Sequence, residues 1–130
     1  MNQQSTGGQC KKLSKSPTSL TYRSKCEEKD YPVTLLLTSY TNGNLAISLQ
    51  TEANGYLEDF ATITVNFKDE LLSPNQAYLD INNVPGIDQF IEKNSLGKPA
   101  GREKCSGFCS YPLYEFDLSR CLEHISLANP

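Results

Sequence analysis

A chain of 130 residues with 38% hydrophobic and 21% charged side chains is long enough for one domain with a modest core and too lean for two. Its net charge of −3 is unevenly spread, because residues 1–30 hold six of the twelve Lys+Arg and three of the fifteen Asp+Glu; about +3 sits on that stretch and about −6 on the rest. An acidic domain is the wrong balance for gripping duplex DNA, and no run approaches the roughly 18 apolar residues of a membrane span.

Residues 1–30 offer only Leu13 and Leu20 as large aliphatic side chains, so they are expected to form a disordered polar and basic tail before a single domain over 31–130. Met1 to Gly8 has neither the basic start nor the apolar stretch of a secretory signal, which makes the cytoplasm the expected compartment. The first strand is expected from Tyr31-Pro32 onward, through Val33-Thr34-Leu35-Leu36-Leu37-Thr38. Asn42-Gly43 suits a two-residue hairpin turn with Thr41 opposite Asn44, which sends Leu36, Thr38 and Tyr40 toward the core and Leu35 and Leu37 to the other face.

The second strand alternates Leu45, Ile47 and Leu49 with Ala46 and Ser48, the period of a half-buried strand. A third strand carries Ala61, Ile63, Val65 and Phe67 on one face. A two-residue turn at Asn54-Gly55 sets the apolar faces against each other, so either a three-residue loop with Ala53 opposite Leu57 or a bulge is expected, bringing Ala61 beside Leu49 and Ile63 beside Ile47. A fourth strand follows at residues 77–81. The period then changes: Ile87, Phe90 and Ile91 fall at helical spacing, with Pro85 before them and Leu96-Gly97 after, which predicts a helix over about 84–94. Residues 98–112, with two prolines, Gly101 and Gly107, read as irregular, residues 113–117 as a last strand, and residues 119–124 as a single helical turn. The expected whole is α+β: an antiparallel sheet of four to five strands in the order β-β-β-β-α-β, with one main helix packed on a face.

Three of the five cysteines and the only histidine lie within twenty residues, as Cys105, Cys109, Cys121 and His124. Two close pairs of thiolate and imidazole ligands are what a small tetrahedral zinc site requires, although the spacing matches no standard finger, and buried thiols packed as small apolar groups are the competing reading. Cys109 with His124 is also a nucleophile–base combination, but no hydrolase, phosphate-loop or zinc-protease signature accompanies it, and the chain is expected not to be an enzyme and to need no cofactor other than that zinc. Tyr40, Tyr56, Phe108, Tyr111 and Tyr114 exceed what a small core absorbs once Phe60, Phe67, Phe90 and Phe116 fill it, and they are the candidate partner-binding set. Lys98, Arg102 and Lys104 form a small basic group in the expected loop, and the basic tail is suited to salt-dependent contact with nucleic acid.

The strings Tyr31-Pro32-Val33, Leu45-Ala46-Ile47, Thr64-Val65-Asn66, Ala77-Tyr78-Leu79-Asp80, Asn82-Asn83 with Pro85, Phe90-Ile91-Glu92, Leu96-Gly97, and Ser106-Gly107-Phe108-Cys109 with Tyr111-Pro112 and Tyr114 resemble those of a small uncharacterised family. That family is a domain of unknown function carried on conjugative elements and phage-like regions of Gram-positive gut anaerobes, and the resemblance covers about residues 31–118. It implies a mobile-element cargo protein and assigns neither an activity nor site residues. Because such elements carry antagonists of host defence, the expected function is protein–protein binding, as an inhibitor of a restriction or CRISPR nuclease. The alternative is an accessory nucleic-acid-binding module that uses the basic tail and the zinc site.

Overall fold

A computed structural model describes residues 19–125. Eight strands form two antiparallel sheets of four. The first is β1 (Leu20–Ser24), β2 (Lys29–Ser39), β3 (Leu45–Ala53) and β4 (Tyr56–Thr62), in that spatial order. The second contains β5 (Thr64–Val65), β6 (Gln76–Leu79), β7 (Gly97–Ser106) and β8 (Cys109–Phe116), in the order β5-β6-β8-β7. Helix α1 (Ile87–Lys93) lies between β6 and β7, and α2 (Leu118–Leu122) follows β8. The architecture is therefore mostly antiparallel sheet with two small helices, and the single sheet of four to five strands is corrected to two sheets.

The expected tail is corrected from Leu20 onward. Leu20–Ser24 pairs antiparallel with residues 29–33 of β2, and Tyr22 enters the core at 4% exposure. Its ring meets Phe60 and Phe90 edge-on at 5.8 and 5.7 Å, and its hydroxyl donates to the Pro85 carbonyl at 3.1 Å. One buried aromatic on an alternating strand suffices to anchor a hairpin when it fills a gap between other rings. Residues 1–18, the rest of the expected tail, lie outside the described residues, as do residues 126–130.

The register of the first hairpin differs from the expected one by a single residue. Ser39 pairs with Leu45, and Tyr40 and Asn44 close the turn, the Tyr40 amide donating to the Asn44 carbonyl at 2.9 Å. The loop is thus three residues, with Gly43 at φ 91° in the left-handed position such a loop needs. A one-residue slip turns every side chain over. Leu35 and Leu37 now stand opposite Leu49 and Ile47 on the core side, while Leu36 is exposed. Asn44 fixes this choice. Its side-chain amide is buried and donates to Asn66 Oδ1 at 3.0 Å and to the Glu70 carbonyl at 2.6 Å, while its Oδ1 accepts from the Leu72 amide at 2.9 Å.

The second hairpin resolves the conflict of faces by a bulge. Ala53 pairs with Tyr56 across Asn54-Gly55, and the register shifts between Leu49 and Gln50, so that Leu49 still meets Ala61. Beyond it the chain changes sheets at Ile63. That residue is fully buried; its amide donates to the Ile47 carbonyl at 3.0 Å, and its carbonyl accepts from the Asp80 amide at 2.8 Å.

Residues 98–112, expected to be irregular, are most of a long hairpin. Prolines and glycine are tolerated there for positional reasons. Pro99 lies on edge strand β7 where the register with β8 breaks, and Pro112 stands just outside the three β8 residues paired with β6. The core joins Val33, Leu35, Ile47 and Leu49 of the first sheet to Ala77, Leu79, Tyr114 and Phe116 of the second, and Ile87, Phe90 and Ile91 of α1 belong to the same cluster.

Candidate functional site

The four proposed zinc ligands are not brought together. Cys105 pairs with Ser110 and Cys109 with Ser106 at the end of the β7–β8 hairpin, so alternation turns the two thiols to opposite faces. Cys121 is fully buried on α2, its thiol 3.6 Å from the Leu96 carbonyl. Burial, then the Asp117 carboxylate, pushes that thiol up to about 11, which keeps it protonated at neutral pH. His124 follows α2, where its backbone carbonyl accepts from the Leu35 amide at 2.9 Å. Among the described residues no group of three or more His, Cys, Asp or Glu is arranged to hold a metal. In this arrangement Cys121 packs as a small apolar group. A chelator is expected to leave the unfolding midpoint unchanged, whereas Cys121→Ser should cost about 1–2 kcal/mol by placing a more polar group at a dry position. Denaturant titration of both samples checks this.

The aromatic set divides. Tyr114 is buried, with its hydroxyl hydrogen-bonded to the Glu92 carboxylate; burial first and then that carboxylate hold its pKa well above the phenol range. It belongs to the core cluster. Tyr40 is half-buried and its hydroxyl meets Thr64 Oγ1 at 2.9 Å. Tyr111 is half-buried against Phe67, ring centroids 5.8 Å apart. Only Tyr56 and Phe108 of the five stand free, at 75% and full exposure. They occupy hairpin ends in different sheets.

A side-chain hub beside the β7–β8 hairpin was hidden in the sequence. Glu70 accepts from the Tyr78 hydroxyl at 2.8 Å, from Arg102 at 2.5 Å and from Lys104 at 3.1 Å. The Tyr78 hydrogen bond, then Lys104 and Arg102, hold its carboxyl below the usual range against the opposing effect of burial. Lys104 also lies over the Phe67 ring at 5.1 Å. Two of the three loop cations are therefore engaged within the fold, leaving Lys98 beside a separate cleft of about 540 Å³ that also holds Glu92, Glu115 and Asp117. Asp69-Glu70 in sequence looks like ordinary turn charge, and only the pairing of β6, β8 and β7 brings it to Arg102.

The geometry is that of a braced projection. The hub and the Phe67–Tyr111 contact fix the outer face of the hairpin, a hydrogen bond of 2.6 Å from Ser110 to Glu103 fixes its strands to each other, and Gly107-Phe108 forms the tip. A second, smaller groove of about 180 Å³ runs between β1 and α1. Among the described residues no helix is long and apolar enough to cross a membrane.

Neither the curated proteins nor the solved structures contain a match to this chain. A family model described as Domain of unknown function (DUF4313) matches residues 34–127, from within β2 to beyond α2. Because that match takes in most of the chain, the protein belongs to the DUF4313 family.

Proposed function

We propose that the protein works by binding another protein, with the tip of the β7–β8 hairpin as its contact, and not by catalysis. The observation that carries this reading is Phe108: a large apolar side chain fully exposed at the end of a hairpin whose base is held by Glu70, Arg102, Lys104 and Tyr78. An aromatic in water adds nothing to the fold, whereas a rigidly presented one loses little entropy on entering a partner's pocket. The excess of twelve acidic over six basic side chains in residues 31–130 favours a basic partner. From the resemblance to mobile-element cargo comes the more specific proposal of a cytoplasmic inhibitor of a restriction or CRISPR nuclease.

The test uses purified nucleases of those two classes with the full chain as inhibitor. Phe108→Ala should leave the melting temperature unchanged and weaken inhibition by roughly 30-fold or more, the effect of losing a contact worth about 2 kcal/mol. Inhibition that persists in Phe108→Ala would remove the hairpin from the contact.

A further inference from the structure

The first 26 residues contain Lys11, Lys12, Lys15, Arg23 and Lys25 and no acid, so the remaining 104 carry seven basic and fifteen acidic side chains. This separation leads directly into a groove of the fold. Arg23, Lys25 and Lys93 line the space of about 180 Å³ between β1 and α1, with Gln89 beside them and Tyr22 and Phe90 below; every charged side chain lining it is cationic.

The charges on α1 are sorted by face. Asp88 and Glu92 are one turn apart, and Glu92 is bound to the Tyr114 hydroxyl. Gln89 and Lys93, also one turn apart, line the groove. Arg23 pairs with Asp30 at 3.2 Å, but among the described residues no carboxylate lies within ion-pair distance of Lys25 or Lys93.

Lys25 is also positioned. Its methylenes lie across Gly86, where an added Cβ would stand 2.9 Å from Lys25 Cε, and Gly86 has φ +87°. Glycine at this position both adopts the left-handed conformation and leaves room for the lysine stem. Two unpaired ammonium groups beside an apolar floor and an amide, continuous in sequence with a cationic stretch, have the chemistry to follow a linear polyanion with one charge per repeat.

We infer that the groove between β1 and α1 holds the phosphodiester backbone of a single-stranded nucleic acid, with Lys25 and Lys93 as its phosphate contacts. This site is independent of the Phe108 contact. Arg23 and Lys25 fall before the stretch matched to the family and Lys93 within it.

The experiment is an anisotropy titration of a fluorescein-labelled single-stranded oligonucleotide, about 20 nucleotides long, with the full chain over a range of salt. Two single-strand phosphate contacts account for about 1.4 of the slope of log K against log salt. The double variant Lys25→Gln/Lys93→Gln should lose that much slope and bind roughly tenfold or more weakly at about 0.1 M salt, while Lys98→Gln and Phe108→Ala should bind as the unaltered chain does. All three alter exposed side chains, so their melting temperatures should match the parent. No binding, equal binding by the double variant, or poly-L-glutamate competing as well as the oligonucleotide would each overturn the assignment, the last by identifying an acidic peptide as the ligand.

Discussion

Tyr22→Ala is expected to lower the stability of the fold by about 3–5 kcal/mol, the range for removing a buried aromatic side chain from a packed core. The ring is 4% exposed and touches both Phe60 of β4 and Phe90 of α1, so its loss opens a space bordered by a strand and the helix. Tyr22→Phe keeps the ring contacts and gives up only the bond to the Pro85 carbonyl, for a loss of about 1 kcal/mol. For a domain of this size, Tyr22→Ala should shift the thermal midpoint by more than about 10 °C. Deleting residues 1–26, which takes β1 with it, should destabilise at least as much. If either change left the midpoint within a degree or two, residues 19–26 would be a tail after all.

The second large effect is expected at Asn44. Its side chain donates to Asn66 Oδ1 and to the Glu70 carbonyl and accepts from the Leu72 amide, at a position 4% exposed. Asn44→Ala leaves those groups without their partner in a site water reaches poorly, which should cost about 2–4 kcal/mol. Asn44→Asp is the more discriminating variant. It keeps an acceptor for Leu72 but places a negative charge against two oxygens that previously accepted hydrogen bonds, so it should be no better than alanine. Urea unfolding measures both, and a loss below about 1 kcal/mol would show that Asn44 is not what holds residues 66–72 against the first hairpin.

These two residues mark where the sequence was readable and where it was not. The conflict between the faces of the second and third strands pointed to an added residue, and the bulge opposite Leu49 supplies it. The helix was legible from Ile87, Phe90 and Ile91, all of which are buried. Asn42-Gly43 misled because it fits both a two-residue and a three-residue turn; the choice depends on Asn44 reaching residues more than twenty positions away, a contact with no local signature. Leu20–Ser24 was passed over because a five-residue strand with one large buried side chain carries too little periodicity to stand out from a basic tail. The β7–β8 hairpin was obscured by Pro99, Gly101 and Pro112, residues that break a central strand but fit an edge and a register break. At the candidate site Phe108 was legible as a surplus aromatic, whereas Tyr114 was not distinguishable from it without knowing which face of β8 points inward. The cysteine spacing suggested proximity that the hairpin's alternation forbids.

Ile63 has a consequence for how the protein comes apart. Its amide donates to Ile47 of the first sheet and its carbonyl accepts from Asp80, the residue that follows β6 of the second, and its side chain is fully buried in the one cluster that draws on both sheets. Neither sheet has a free boundary at that point along which it can melt while the other persists. Unfolding should therefore be a single cooperative transition, with the amide protons of Ile63 and Asp80 among the slowest to exchange with solvent, released only when the whole domain opens.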